Sequence, residues 1–378
     1  MQWIRHKNIK IVIVPEPVAS VCVRFSMNGY SFYICSPGEH INHTGMKKIP
    51  AVILIVLVLG TACKRNRLKV DISGIELEMR IDRFERALFS IPPDSLEEEL
   101  PGLYTRYGRF LERFSTVINI GLPGDPGYPE YLRSFVTDSM VREVYRVVEN
   151  TFPDLSWQQE ALENAFRHYL YYFPEREVPE VYSYISGFNH SLIIDRGILG
   201  IGLDKYLGRD TEYYPMLGLP RYMRDKMEPQ RIPFDCMYYW ASTEFPFRDS
   251  VNNVLCNMIY RGQLLYFSEA MFPAEPDSLI IGYSPVQMEW VKENEEAMYT
   301  YLVENRLLFD QSSLAISKLV NDAPFTQYFS TESPGRCGAW LGWQIVRSYM
   351  KNHSGITLPE LMADTDYQQI FSRSGYHP

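Results

Sequence analysis

Histidines, cysteines and clustered carboxylates are where metal or nucleophilic chemistry would have to reside, and their spacing here offers little. From residue 63 onward there are four histidines, His168, His190, His353 and His377, and no two of them stand at metal-ligand spacing. Cys236, Cys256 and Cys337 are far apart in sequence, so any site they formed would be purely tertiary. The chain has no GxxxxGK[ST] phosphate loop, no GxSxG elbow, no CxxC pair and no HExxH. Glu293 and Glu296 are three apart, as a carboxylate pair for general acid–base work could be, but helical acids at that spacing ordinarily form a solvated face. Most informative is the run from Asn253 to Tyr266. Leu255, Met258, Ile259, Gly262, Leu265 and Tyr266 recur there at helical spacing and define one apolar face. A glycine inside a helix costs roughly 1 kcal/mol against alanine, so Gly262 marks a close approach by another element. Gly338 and Gly342, four apart, mark a second helix able to supply that approach.

The elements that must position these residues follow from periodicity. Residues 70–80 alternate loosely and predict a half-buried strand. Helices are expected at Phe84–Phe89, across Leu103–Phe114, from Tyr131 to Val148, and from Leu155 to Phe173 with Ser156 as N-cap. Runs at 181–185, 191–194 and 198–203, separated by Gly-containing turns, predict short strands, with a helix starting at Asp204. Beyond Val251 the pattern is helical, including a long segment from Val286 to Leu308 and another from Cys337 to Met350. No repeat or linker divides residues 71–378, which predicts one α+β domain, helix-rich with a small mixed sheet.

Residues 46–62 read differently. Lys47 and Lys48 precede an apolar run, Ala51–Gly60, about half the length a membrane-spanning helix needs. A basic flank, a short apolar run and small residues in that order form a signal peptide, and Gly60-Thr61-Ala62-Cys63 resembles the bacterial lipoprotein signal, in which Cys63 is lipidated and becomes the N-terminus. Residues 1–45 read as irregular, an over-extended start upstream of Met46, and residues 63–70 as an anchor linker. The net charge is −9 over 378 residues. Residues 1–62 hold six Lys/Arg and two Asp/Glu, so residues 63–378 carry −13. An acidic balance excludes a broad nucleic-acid surface, and the sparse cysteines exclude a disulfide scaffold.

Several separated motifs resemble the gliding-motility lipoprotein B (GldB) family. They are Arg261-Gly262-Gln263-Leu264-Leu265-Tyr266-Phe267 followed by Pro273, Trp290 with Asn294-Glu295 and Tyr299, Ala323-Pro324-Phe325-Thr326, Ser333 through Met350, and the terminal Ser374-Gly375-Tyr376-His377-Pro378. The resemblance covers nearly all of residues 63–378. It implies a periplasm-facing lipoprotein of the cell envelope, held in the outer membrane by its N-terminal lipid and working with envelope partners in gliding motility and type IX secretion, with no nucleic-acid partner. It also implies a distant zincin-like fold. The zincin HExxH would fall on Gly262, Gln263 and Tyr266, with Glu295 at the place of a downstream carboxylate ligand. Glycine offers zinc no ligand, tyrosine is a poor one and glutamine cannot act as the base. The expectation is therefore a non-catalytic scaffold without metal or cofactor, its former cleft serving as a groove for a peptide or wall polymer, with Arg336 and Trp340 as groove residues. Arg336 could hold a carboxylate there. A hydrolase with unorthodox residues, or an aromatic carbohydrate surface, is the alternative.

Overall fold

In the computed structural model the described residues are four N-terminal strands and then residues 66–248 and 251–378. Met1–Arg65 and Asn66–Pro378 are separate units. The first contains β1 (Trp3–His6), β2 (Ile9–Val12), β3 (Cys22–Met27) and β4 (Tyr30–Cys35), an antiparallel sheet in that order. The reading of residues 1–45 as irregular is thereby corrected. Runs such as Ile9–Val12 and Tyr30–Cys35 are rich in β-branched and aromatic residues, which suit a pleated surface. The signal segment 46–62 and Cys63 lie outside the described residues.

In the second unit, residues 66–70 are docked rather than linker-like. Asn66 Nδ2 donates to Pro273 O at 3.1 Å, and Leu68 is buried. The Arg67 guanidinium donates to the carbonyls of Met350, Ser354 and Ile356 at 2.8, 2.9 and 2.5 Å. Nor do residues 70–80 form a strand. The backbone N–H of Met79 donates to the Glu163 side chain on the helix of residues 156–172, and none of residues 70–80 pairs with a strand. Only β5 (Ile81–Arg83) is extended.

Then come α1 (Phe84–Ser90), α2 (Leu96–Val117), α3 (Tyr128–Thr137), α4 (Ser139–Thr151) and α5 (Ser156–Tyr172). The single helix expected over 131–148 is two. Asp138 leaves the helical region, and its carboxylate accepts the N–H groups of Met140 and Val141 at 2.9 and 3.0 Å, capping α4. At α5 the expected cap Ser156 is the first helical residue, and Asp154 accepts its N–H at 3.0 Å. Of the two or three short strands expected next, all three are present, as β6 (Glu180–Tyr184), β7 (Leu192–Asp195) and β8 (Ile198–Gly202). Asp204 lies in a short 3-10 turn, Leu203–Lys205, not a helix.

The sheet order is β5-β6-β8-β7, with β5, β6 and β8 parallel and the edge strand β7 antiparallel. Both faces are covered, as parallel strands require. Tyr182, Tyr184, Ile193 and Ile198 meet Phe84, Phe110, Phe114 and Leu132 from α1, α2 and α3. Val181, Leu199 and Ile201 turn to the other side and join the main core.

That core is helical. It contains α6 (Tyr213–Met216), α7 (Arg221–Arg224), α8 (Ile232–Glu244), α9 (Val254–Met271), α10 (Asp277–Ile281), α11 (Pro285–Glu293), α12 (Glu295–Glu304), α13 (Ser313–Val320), α14 (Cys337–Asn352), α15 (Leu358–Ala363) and α16 (Tyr367–Ser374). The long helix expected over 286–308 breaks at Asn294, whose side chain donates to Trp290 O at 2.8 Å and closes α11. The whole is a helix-rich α+β domain with a small mixed sheet.

Candidate functional site

α9 is the axis of the main core, and the residues marked out on it each meet different surroundings. A Cβ on Gly262 would lie 2.3 Å from the carbonyl carbon and oxygen of Gly342, and one on Gly342 would lie 1.8 Å from Met258 O. The backbones of α9 and α14 therefore touch, as the glycines implied. Gly338 serves a different contact, since its Cβ would meet Leu319 O of α13 at 2.9 Å. Gln263 donates from Nε2 to Leu361 O at 2.7 Å and to Asp364 O at 2.9 Å, satisfying carbonyls at the end of α15. Tyr266 faces Arg67 and Tyr172. Glu295 accepts from Trp340 Nε1 at 3.2 Å and from the Tyr376 hydroxyl at 2.8 Å.

Gly262, Gln263, Tyr266 and Glu295 thus do not assemble a metal centre. At position 262 the backbone of α14 leaves no space for an imidazole, and among the described residues no three His, Cys, Asp or Glu are grouped to hold a metal ion. The donors present do not fit zinc. His168 is a helix-face residue, its Nδ1 2.8 Å from Asn164 O. Cys236, Cys256 and Cys337 are free and buried. Trp340, expected in a groove, is buried in the core and tied to Glu295.

Arg336 does line a cavity. It has a volume of about 390 Å³ and lies between the edge strand β7, the segment 223–231, α8 and α10. Leu192, Ile194, Met227 and Leu265 give it apolar lining, and Tyr206, Tyr238 and Tyr239 add aromatic surface. Four cations line it, Lys205, Lys226, Arg231 and Arg336, against two carboxylates, Asp235 and Asp322. Just behind stand Arg261, whose Nη1 is 3.4 Å from the Tyr238 hydroxyl, and the buried Asp204. Including both leaves the surplus of two positive charges unchanged. So the side of α9 turned to the cavity carries Arg261 and Leu265, one residue out of register with Gly262 and Tyr266.

Local structure explains how these charges come to lie inside. Arg231 sits one turn ahead of Asp235 on α8, Nη2 to Oδ1 2.5 Å, and also donates to Leu279 O. Tyr206 donates to the other Asp235 oxygen at 3.2 Å. Arg336 precedes α14 with φ +63°, a left-handed conformation unusual for a bulky residue. It donates to Ile281 O, and its Nε lies 2.9 Å from Asp322 Oδ1 at an angle that makes no hydrogen bond. Lys226 donates to the same Asp322 oxygen. Burial alone would raise the Asp322 carboxyl, but Arg336 and Lys226 outweigh it and hold the group at about 2. Burial, reinforced by Arg336, pushes the Lys226 ammonium down to about 8 against the pull of Asp322. Burial likewise raises Asp204 to about 6, against the N–H groups of Ser186 and Phe188 that it accepts and the charge of Lys205.

Sequence reasoning found Arg336 and missed the rest. Lys226 and Asp322 are 96 residues apart, so no local pattern could join them. Only the dense alternation of charge from Arg221 to Asp235 hinted that something there must be neutralised.

No curated protein and no solved structure matches the chain, and the zincin likeness gains no support from the helix crossing at Gly262. The family described as gliding motility protein GldB matches residues 65–378. That span takes in every motif that carried the resemblance, from Arg261 to Pro378, and the chain belongs to the GldB lipoprotein family.

Proposed function

We propose that this protein is a non-catalytic binding lipoprotein, anchored through Cys63 on the periplasmic side of the outer membrane, that serves gliding motility and type IX secretion by holding a ligand or partner at the cationic cavity. The observation that carries the reading is the state of α9. The positions that would supply metal ligands, Gly262 and Tyr266, and the one that would supply the base, Gln263, are engaged in packing and capping. The cavity, in turn, is lined chiefly by fixed charges and tyrosines.

A photo-crosslinker at Tyr239, which lines the cavity and is 48% exposed, tests this in the native envelope. Capture of envelope proteins of the motility or secretion machinery is the expected result. Capture confined to cytoplasmic proteins would overturn the reading. So would stoichiometric zinc whose removal abolishes a hydrolytic activity.

A further inference from the structure

The charges in the cavity are unevenly matched, and the mismatch specifies a ligand. Asp322 is shared by two cations, Lys226 and Arg336. Asp235 is taken by Arg231 and by the Tyr206 hydroxyl. The Nε atoms of both Arg231 and Arg336 are buried without a hydrogen-bond acceptor. Buried polar groups normally find partners, and a charged donor without one is costly. Those two Nε atoms are closed off from the cavity, and Asp204 Oδ1 behind it is unpaired as well, so what the cavity itself presents is the charge surplus of four cations against two carboxylates, around a space large enough for a small molecule. The surplus is positive in a chain whose net charge is −9, so it does not reflect overall composition. Beside these cations stand Leu192, Ile194, Met227 and Leu265, apolar lining that an inorganic ion would leave uncovered.

We propose that the cavity is a binding site for a small organic anion, with a carboxylate or phosphate group held by Arg336, Lys226 and Arg231 and an apolar body against β7 and Leu265. Guanidinium groups suit either anion because their planar donors match paired oxygens. Asp322 then acts as the internal stand-in, keeping Lys226 and Arg336 charged and apart when no ligand is present. The ligand class rests on the cavity being where the protein binds.

The test is calorimetric titration of the full-length protein in detergent with sodium phosphate and with sodium succinate, against sodium chloride at matched ionic strength. Saturable heat with at least one of the two anions is expected. Phosphate alone would identify a phosphate-bearing ligand, and succinate alone a carboxylate. Arg336→Met and Lys226→Met should each weaken binding about tenfold, the loss expected for one charge-assisted hydrogen bond. Asp322→Asn removes the competing carboxylate and should tighten binding by a similar factor. A purely structural ion-pair network would instead lose stability in Asp322→Asn without gaining affinity. No saturable heat in the wild type and in a folded Asp322→Asn, checked by circular dichroism, overturns the proposal. An unchanged affinity in Asp322→Asn does so too. Either failure leaves crosslinking from Tyr239 to envelope partners intact, so the two readings fail separately.

Discussion

Asp204 shows what one buried carboxyl does to the whole equilibrium. Its ordinary value is 3.8, and burial raises it to about 6 in the folded protein. Below pH 3.8 it is protonated in both states and costs nothing. As the pH rises from 3.8 to 6 the unfolded chain ionises first, so stability falls, and above pH 6 the loss is constant. A shift of that size corresponds to roughly 3 kcal/mol. Asp204→Asn abolishes the titration while keeping an oxygen for the N–H groups of Ser186 and Phe188. Urea unfolding at several pH values should show the variant gaining about that much on the wild type between pH 4 and 6. A gain in the opposite direction, or a gap that ignores pH, would count against the buried ionisation. Nothing in the sequence around Leu203–Lys205 announces this. The effect comes from the close of a strand in the core, and sequence shows only an acid after an apolar run.

At the scale of elements, the crossing of α9 and α14 decides most. Replacing Gly342 by alanine gains about 1 kcal/mol of helix propensity, yet its Cβ would fall 1.8 Å from Met258 O. Backbone cannot yield as a side-chain tip can, so overpacking outweighs propensity. Gly342→Ala should lower stability by a few kcal/mol, read as a drop in the urea midpoint at constant m-value. A midpoint unchanged or raised would show that the two helices are not in contact there. This crossing was legible, because Gly262 and Gly342 interrupt strongly apolar helical patterns, whereas Gly338, expected to join them, packs on α13 instead. The sheet was legible from 181 to 203, where β-branched runs alternate with Gly turns. The breaks at Asp138 and Asn294 were not. Neither is a Gly or Pro; Asp138 starts α4 as its N-cap, and Asn294 closes α11 through its own side chain, local contacts that the unbroken apolar periodicity on either side masks. Residues 70–80 misled because their alternation is real but no neighbouring strand pairs with them, and Met79 gives its N–H to Glu163 instead. Arg336 could be singled out from its Gly-rich surroundings, whereas the cavity it lines joins residues from 191 to 336 and has no linear signature.

For the molecule as a whole, attachment is the property that composition conceals. No helix among the described residues is long and apolar enough to cross a membrane, and the proposed anchor is a lipid on Cys63. Metabolic labelling with a fatty acid should mark the wild type, and Cys63→Ser should abolish the label and shift the protein to the soluble fraction. Mass spectrometry of the labelled form should find Cys63 as the N-terminus. Persistent membrane retention of Cys63→Ser would refute lipid anchoring there, and a peptide containing Phe25 and Ser26 would refute a start at Met46.

The Arg67 contacts bear on how such an anchor would feel to the domain. Arg67 is fastened to three carbonyls at the C-terminal end of α14, Met350 in its last turn and Ser354 and Ile356 just beyond it. Four residues of fully extended chain reach at most about 14 Å. A domain tethered from Cys63 would hence have almost no leash. It would ride against the bilayer, and the C-terminal end of α14 would be the part held nearest the lipid headgroups. Whatever the protein binds would have to be met within about one domain diameter of the membrane, not farther out.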